Sequence, residues 1–295
     1  MLHSSTAAGA EARPKAKNPL LDAWHGLLKN RMAVVGAAVL LFFILIALFA
    51  EQIAPYPADE QNWEHILEAP SAAYPLGTDS YGRCVFSRIV YGSRISLLVG
   101  FIAVAFSAIG GGIIGACAGY FRGPLDNVLM RLMDVLLAIP SILLAIAIVN
   151  ILGPSLFNVM VAVGLSSMPS FARIVRAAVL SIRDSEFIES AVAIGDSTPA
   201  IILHNILPNC MAPIIVQATL GVASAILSAA SLSFLGLGLQ PPSPEWGAML
   251  SEGRAYIYNA PWLTICPGVS IVLIVLSLNL FGDGLRDALD PKLKQ

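Results

Sequence analysis

The chain has 295 residues and a formal net charge of −2, and 57% of its residues are hydrophobic whereas only 12% are charged. Soluble domains carry about 25% charged residues on average, so this composition excludes a soluble fold and predicts an integral membrane protein. Because no basic stripe is present, we expect no nucleic-acid partner. Four cysteines spread over the chain exclude a disulfide-rich scaffold.

Charge-free apolar runs predict an all-α protein with six membrane-spanning helices, because about 20 apolar residues are needed to cross the hydrocarbon. Gly153 and Pro154 interrupt one long run, which predicts two helices joined by a tight turn. Three prolines precede the fifth span and are expected to break the helix there. The predicted spans cover residues 32–50, 95–121, two helices within 135–172, 214–235 and 263–281.

The basic residues predict the orientation, since Lys and Arg are enriched on the cytoplasmic flanks of membrane spans. With both termini in the cytoplasm, 13 of the 17 Lys and Arg residues lie inside, so we expect an N-in, C-in topology. The predicted division is a cytoplasmic N-terminal segment 1–30, a first span and external loop 31–93, a transmembrane core 94–283 and a cytoplasmic tail 284–295.

The segment between the fourth and fifth spans predicts two short helices. Asp184 or Ser185 can cap the first, and Gly195 suits the left-handed turn that would end it. Pro199 suits the first turn of the second helix, and Pro208 is expected to end it. The product would be a helix-turn-helix on the cytoplasmic face, with apolar residues facing a groove on another protein. Those residues are Ile188, Ala191, Val192, Ile201, Ile202 and Ile206.

The chain contains no pattern that would supply energy or catalysis by itself. A phosphate-binding P-loop needs a Gly-Lys pair, and none of the five lysines follows a glycine, so any ATPase would be a separate polypeptide. An ion-coupled transporter would place carboxylates or histidines within the bilayer, whereas the predicted spans carry none away from their ends. Asp134, Arg173 and Arg176, at the cytoplasmic ends of spans, are interpreted as interface anchors or loop-packing ion pairs, and a proton relay is the alternative. Isolated histidines predict neither a metal site nor a catalytic triad.

A family resemblance rests first on the 184–208 segment. Its pattern E-S-A, three residues, G, eleven residues, L-P resembles the E-A-A-x3-G…L-P loop through which bacterial ABC-importer permeases dock on their ATPases, with serine in place of the first alanine. The resemblance implies an ATPase-docking role for Glu189, Ser190, Ala191, Gly195, Leu207 and Pro208.

Three further segments narrow the resemblance to the dipeptide, oligopeptide and nickel permeases. Residues 75–83 are similar to the L-G-T-D-x-x-G-R-D segment of that subgroup, with Cys84 in place of its last aspartate. Residues 235–247 and 282–291 resemble the C-type subunit of dipeptide importers. Together they imply an ABC-importer type I permease fold and ATP-driven, alternating-access import of dipeptides or short oligopeptides across the bacterial inner membrane.

The same resemblance implies the partners. They would be a second, B-type permease, two ABC ATPase subunits that bind ATP and Mg, an extracytoplasmic peptide-binding protein and the surrounding lipid. Since substrate choice rests largely with the binding protein, nickel, glutathione or another small solute stays an alternative. An ion-coupled secondary transporter is the alternative outside the family.

Small and polar residues within the spans leave two interpretations open. Gly111, Gly115 and Gly119 repeat every four residues and predict a close helix approach, either within the chain or to another subunit. The polar residues could line a translocation path or hydrogen-bond between helices. They are Asn150, Gln217, Ser224, Ser228 and Asn279.

Overall fold

The computed structural model describes residues 26–289, and all regular elements in that range are helical. The predictions for residues 1–25 and 290–295, which include most of the cytoplasmic N-terminal segment and half of the tail, lie outside the described residues. The helices are α1 Arg31–Leu48, α2 Ala50–Ile53, α3 Val85–Phe121, α4 Gly123–Ala138, α5 Ser141–Leu152, α6 Leu156–Ile182, α7 Glu186–Ile194, α8 Thr198–Ala200, α9 Met211–Phe234, α10 Trp246–Gly253 and α11 Trp262–Leu289.

Five continuous helical stretches in the described range are long and apolar enough to cross a membrane. They are α1, α3, α6, the stretch Thr198–Phe234 and α11. Helices α4 and α5 make a sixth candidate span as a pair, but they are bent by 91° at the intervening break. The described residues therefore hold five candidate spans, or the predicted six when this bent pair is counted as one span.

The break between α4 and α5 lies at Ile139 and Pro140 and was not predicted. Pro140 restricts the residue before it to extended backbone, and Ile139 has φ −92° and ψ 127°. The helix therefore ends at Ala138 and restarts at Ser141 in a new direction. The predicted interruption at Gly153 is confirmed, because α5 ends at Leu152 and Gly153 follows with φ 89°.

Four helix ends lie well outside the predicted spans. Helix α4 begins twelve residues before residue 135, and α6 ends ten residues past residue 172. Helix α3 begins at Val85, ten residues before the predicted start, and α11 continues to Leu289, eight residues past the predicted end. Because these extensions contain charged residues, they fall outside the charge-free runs that define the predicted spans. Arg94 in α3 instead donates to the backbone carbonyl of Leu48 (3.1 Å) and pairs with Glu51 (3.0 Å), so its charge is satisfied beside the helix.

The predicted helix end at Pro208 is wrong. A π-helical turn, Ile201–Ile206, and a 3₁₀ turn, Leu207–Cys210, join α8 to α9 without a gap. In the π turn the N–H of Leu207 reaches the Ile202 carbonyl, five residues back. Because this wider turn changes the hydrogen-bond register, Pro208 occupies a position where its backbone nitrogen need not donate a hydrogen bond.

Helix α3 packs against α6 along the glycine stripe. A Cβ at Gly115 would lie 2.9 Å from the Arg176 nitrogen, and one at Gly119 would lie 2.9 Å from Val179 Cβ. Only glycine allows helices to approach this closely. Of the two contacts predicted for the glycine stripe, within the chain or to another subunit, the structure has the one within the chain. Gly112, on another side of α3, has open space beside it.

Candidate functional site

Helix α7 forms the first half of the 184–208 segment. Ser185 occupies its N-cap position, but the Ser185 hydroxyl donates to the Ile182 carbonyl (2.6 Å) and makes no capping hydrogen bond. The expected side-chain cap is therefore absent at that residue. Ser190 donates to the Glu186 carbonyl (2.8 Å), which turns its hydroxyl back onto the helix.

The other end of α7 is the left-handed turn that the sequence predicts. Gly195 has φ 91° and ψ 21°, and a Cβ there would meet no atom within 4 Å. The N–H of Asp196 reaches the Ala191 carbonyl (3.1 Å) and closes the helix. Gly195 is thus required by the backbone conformation alone.

The apolar residues of the 184–208 segment do not all face outward as predicted. Ile188, Ala191, Ile201 and Ile206 are buried within the chain, where they pack with Val175 and Val179 of α6. We call this group, together with Ala116 and Cys210, the mounting cluster. The correction has a simple cause: a helix on the surface of a bundle needs an apolar face to hold it there.

A different set of side chains is exposed on α7. Phe187, Val192 and Ile194 are 47%, 56% and 81% exposed, and Glu186 and Glu189 are exposed beside them. A notch of about 340 Å³ opens next to Glu189. Leu207 is half-buried and Pro208 is exposed at the far end of the segment. The segment therefore offers an apolar and acidic outer face to another molecule.

A polar cavity of about 340 Å³ lies where α6 and α9 meet the break between α4 and α5. It brings together Gln217 and Ser224, two of the residues predicted for a path. Four serines that the sequence analysis did not select also line it. The polar side chains of this cavity are Ser141, Ser166, Ser167, Ser170, Gln217 and Ser224.

The remaining path candidates lie elsewhere. Asn150 is exposed and its amide donates to the Ile146 carbonyl (3.0 Å) within α5. Ser228 follows Ser224 by one helical turn but does not line the polar cavity, and Asn279 is on α11. The Asn150 bond is within one helix and does not join two helices.

A second, charged cavity of about 770 Å³ opens between α4 and α6. Asp126 and Arg176 form a two-point ion pair there, with both nitrogen–oxygen distances 2.6 Å. Asp134 and Arg173 form a one-point pair at 2.6 Å. The interpretation of Asp134, Arg173 and Arg176 as ion-paired is confirmed.

The opposite end of the molecule holds a buried charge cluster that the sequence analysis missed. Arg83 donates to Asp79 (2.6 Å) and to Glu252 (2.9 Å), and Arg88 lies 3.5 Å from the same two carboxylates. Both arginines are 1% exposed. We call these four residues the external cluster. Because Arg83 and Glu252 are 169 residues apart, no local pattern could reveal it.

Two tryptophans and a buried glutamate extend this connection between residues 51–93 and residues 236–262. Trp246 donates to the Ile89 carbonyl (3.1 Å), and Trp262 donates to the Thr78 carbonyl (3.2 Å). Glu245 caps α10 by accepting from the N–H groups of the next turn. Burial raises the pKa of the Glu245 carboxyl, while those N–H bonds act in the opposite direction. These two segments therefore cap the bundle.

Comparison with known proteins identifies the family. A family profile described as "Binding-protein-dependent transport system inner membrane component" matches residues 108–295, and one described as "N-terminal TM domain of oligopeptide transport permease C" matches residues 18–70. A solved structure of the MetNI methionine ABC transporter, in inward-facing conformations, has a TM-score of 0.57 at 21% identity and covers 69% of this chain and 96% of that one. This likeness shows the fold.

Several curated relatives span nearly the whole chain. The dipeptide transport system permease protein DppC of Alkalihalophilus pseudofirmus is 52% identical over 95% of this chain and 92% of its own length. The di/tripeptide permease DppC of Pseudomonas aeruginosa is 47% identical over 94% and 93%, and the glutathione permease GsiD of Escherichia coli is 46% identical over 95% and 93%. The chain therefore belongs to the family of inner-membrane components of binding-protein-dependent transport systems, with the type I permease fold of ABC importers.

Proposed function

We propose that this chain is the permease subunit of an ATP-driven importer that carries dipeptides or short oligopeptides across the bacterial inner membrane by alternating access. The single observation that carries the proposal is α7, an exposed helix with a left-handed end at Gly195, held on the bundle by one face only. The names of the relatives, which include dipeptide and di/tripeptide permeases, support peptides as the substrate class.

The outer face of α7 is the proposed docking surface for an ATPase subunit. Phe187, Val192 and Ile194 supply apolar contact area, and Glu189 supplies a charge at the rim of the notch beside it. Apolar anchors with a charged rim are typical of protein interfaces. ATP and Mg then bind to the ATPase subunits, and this chain performs no catalysis.

The mounting cluster connects the proposed docking surface with the interior of the helix bundle. Ile188 and Ala191 of α7 pack with residues of α6 and of the turns that lead into α9. Farther along α6 and α9 lie Ser167, Ser170 and Gln217, which line the polar cavity. A displacement of α7 by a closing pair of ATPases would therefore move two walls of that cavity.

The polar cavity is the proposed part of the translocation path that this subunit contributes. Its hydroxyl groups and the Gln217 amide can both donate and accept hydrogen bonds, as the peptide groups of a passing substrate require. In the assembled importer we expect a B-type permease to form the facing wall. An extracytoplasmic binding protein would deliver the peptide at the end of the external cluster.

Glutathione is the second candidate substrate, because relatives named as glutathione permeases are 46% identical to this chain. Glutathione is itself a short peptide, so the same cavity chemistry suits it. Uptake of labelled dialanine and of labelled glutathione by proteoliposomes that hold the complete importer separates the two. We expect dialanine uptake to be the faster with this chain's own binding protein.

The docking role is tested by substitution at two glycines with the same local constraint. Gly195 and Gly236 both have positive φ, 91° and 80°, and open space where a Cβ would lie. Valine at either position costs about 1–3 kcal/mol of backbone strain. We expect Gly195→Val to lower peptide-stimulated ATPase activity of the reconstituted complex at least about tenfold, and Gly236→Val to leave it within about twofold of wild type.

Both variants should reach the membrane in similar amounts, because the strain is the same at the two sites. Equal loss of ATPase stimulation in the two variants would indicate a general folding defect and would count against docking through α7. Full stimulation in Gly195→Val would contradict the docking role outright.

A further inference from the structure

The charged cavity between α4 and α6 is lined by five ionic side chains. Its ionic residues are Asp126, Arg131, Asp134, Arg173 and Arg176, three positive and two negative groups in about 770 Å³. The cavity is open, which an ion-pair contact between two packed helices does not require. It is also next to the polar cavity along both helices that the two share.

The two ion pairs of this cavity differ in how firmly they are held. Asp126 and Arg176 are joined by two hydrogen bonds, and the Asp126 side chain is only 12% exposed. Asp134 and Arg173 are joined by one, and their side chains are 49% and 54% exposed. A half-exposed, one-point pair contributes at most a small stabilisation, so it separates readily. The Asp126 pair is the permanent contact and the Asp134 pair is the exchangeable one.

The exchangeable pair lies at the border of the two cavities. On α4, Leu136 and Leu137 of the polar cavity follow directly after Asp134. On α6, Ser170 of the polar cavity is one turn before Arg173. A substrate that leaves the polar cavity along these helices meets Asp134 and Arg173 first.

We propose that this border is a substrate subsite in which Asp134 receives the ammonium group and Arg173, with Arg131, receives the carboxylate of a short peptide with free termini. The proposal rests on the proposed function of the chain as a peptide permease. The two charges of the substrate replace the two charges of the opened pair, so no ion is left without a counter-ion in the path.

The dimensions suit a peptide of two or three residues. An extended dipeptide spans about 7 Å between its ends. Arg131 and Asp134 are three residues apart on α4, so their side chains start about 5–6 Å apart on one face of the helix. Arg131 forms no ion pair with a carboxylate within the described part of the chain, which leaves its guanidinium for a ligand.

The test uses charge selectivity, because a merely structural ion pair would not alter it. The complete importer, with both permeases, the ATPases and the binding protein, is reconstituted in proteoliposomes. Uptake of Ala-Glu and of Ala-Lys is measured with the binding protein saturated by each peptide. The readout is the ratio of the two maximal rates, Ala-Glu over Ala-Lys.

We expect Asp134→Asn to raise this ratio and Arg131→Gln to lower it, each about fivefold, because each variant removes one unit charge from the subsite. Glu51→Gln is the matched control, since it opens another exposed ion pair, Glu51–Arg94 at 3.0 Å, outside the cavity. Its ratio should equal that of the wild type.

Unchanged ratios in both cavity variants, or shifts in the same direction, would overturn the subsite while peptide uptake itself upheld the proposed function. An importer that carries no peptide would overturn both, and this result is distinguishable from the first. If Asp134→Asn fails to assemble, Arg131→Gln breaks no ion pair of the described chain and decides the question alone.

Discussion

The two ends of the molecule use charge in opposite ways. The external cluster buries two arginines almost completely against two carboxylates and ties residues 79–88 to α10. The charged cavity at the other end keeps its exchangeable pair half-exposed, and the outer face of α7 stays open to solvent. Buried charges hold one arrangement because separating them is costly, whereas exposed ones rearrange cheaply. The end with the external cluster is therefore the more rigid one, and the end with the charged cavity can rearrange at lower cost.

The largest expected effect comes from breaking the fixed end. Glu252→Ala leaves Arg83 and Arg88 buried with Asp79 as their one remaining carboxylate, which should cost about 3–5 kcal/mol. Thermal unfolding of the purified subunit in detergent, followed by tryptophan fluorescence, measures the change. Glu51→Ala removes an exposed carboxylate and should cost no more than about 1 kcal/mol. Similar losses in the two variants would show that burial of the cluster has no energetic consequence.

The next effect concerns helix α3, which carries Arg88 near one end and reaches the mounting cluster near the other. Gly115→Leu forces a side chain into the backbone of α6 and should destabilise the fold by about 1–3 kcal/mol. Gly112→Leu, three residues away with open space beside it, should be neutral or slightly stabilising, since leucine favours helix. Equal melting temperatures for the two variants would contradict the close contact of α3 with α6.

The smallest effects separate the two pairs of the charged cavity. Asp126→Asn should lower the free energy of unfolding by about 1–2 kcal/mol, because it weakens a two-point pair that is largely buried. Asp134→Asn should lower it by less than about 1 kcal/mol. Chemical unfolding in mixed micelles resolves the difference. A larger loss at Asp134 would reverse the assignment of permanent and exchangeable pairs.

Local chemistry was enough to place the spans and the turns at Gly153 and Gly195. A bilayer requires long charge-free helices, and a residue in the left-handed conformation at a helix end is nearly always glycine. Short stretches of sequence are therefore enough to predict both features. The prediction that the helix ends at Pro208 is wrong, because a π turn can accommodate a proline that a regular helix cannot. Pro140, which does break a helix, lies within an otherwise apolar run, and the predicted spans have no break there.

The sites depended more on tertiary structure. Gln217 and Ser224, two of the residues predicted for a path, line the polar cavity, whereas Ser166, Ser167 and Ser170 join them only because α6 lies near α9. Ile188 and Ala191 were expected to face a partner and instead face α6, since periodicity identifies an apolar face without saying what covers it. The domain boundaries and the docking roles of the 184–208 segment stay predictions.

The proline-containing turns of the stretch Thr198–Phe234 have a mechanical consequence. This stretch touches α7 near one end and lines the polar cavity farther along, with Pro208 between. Ser224 is 16 residues beyond Pro208, a lever arm of about 24 Å at 1.5 Å per residue. A tilt of about 10° at the turns would carry Ser224 sideways by about 4 Å, on the order of an atomic diameter. Under the proposed function, a small rotation at the docking surface would therefore change the width of the polar cavity.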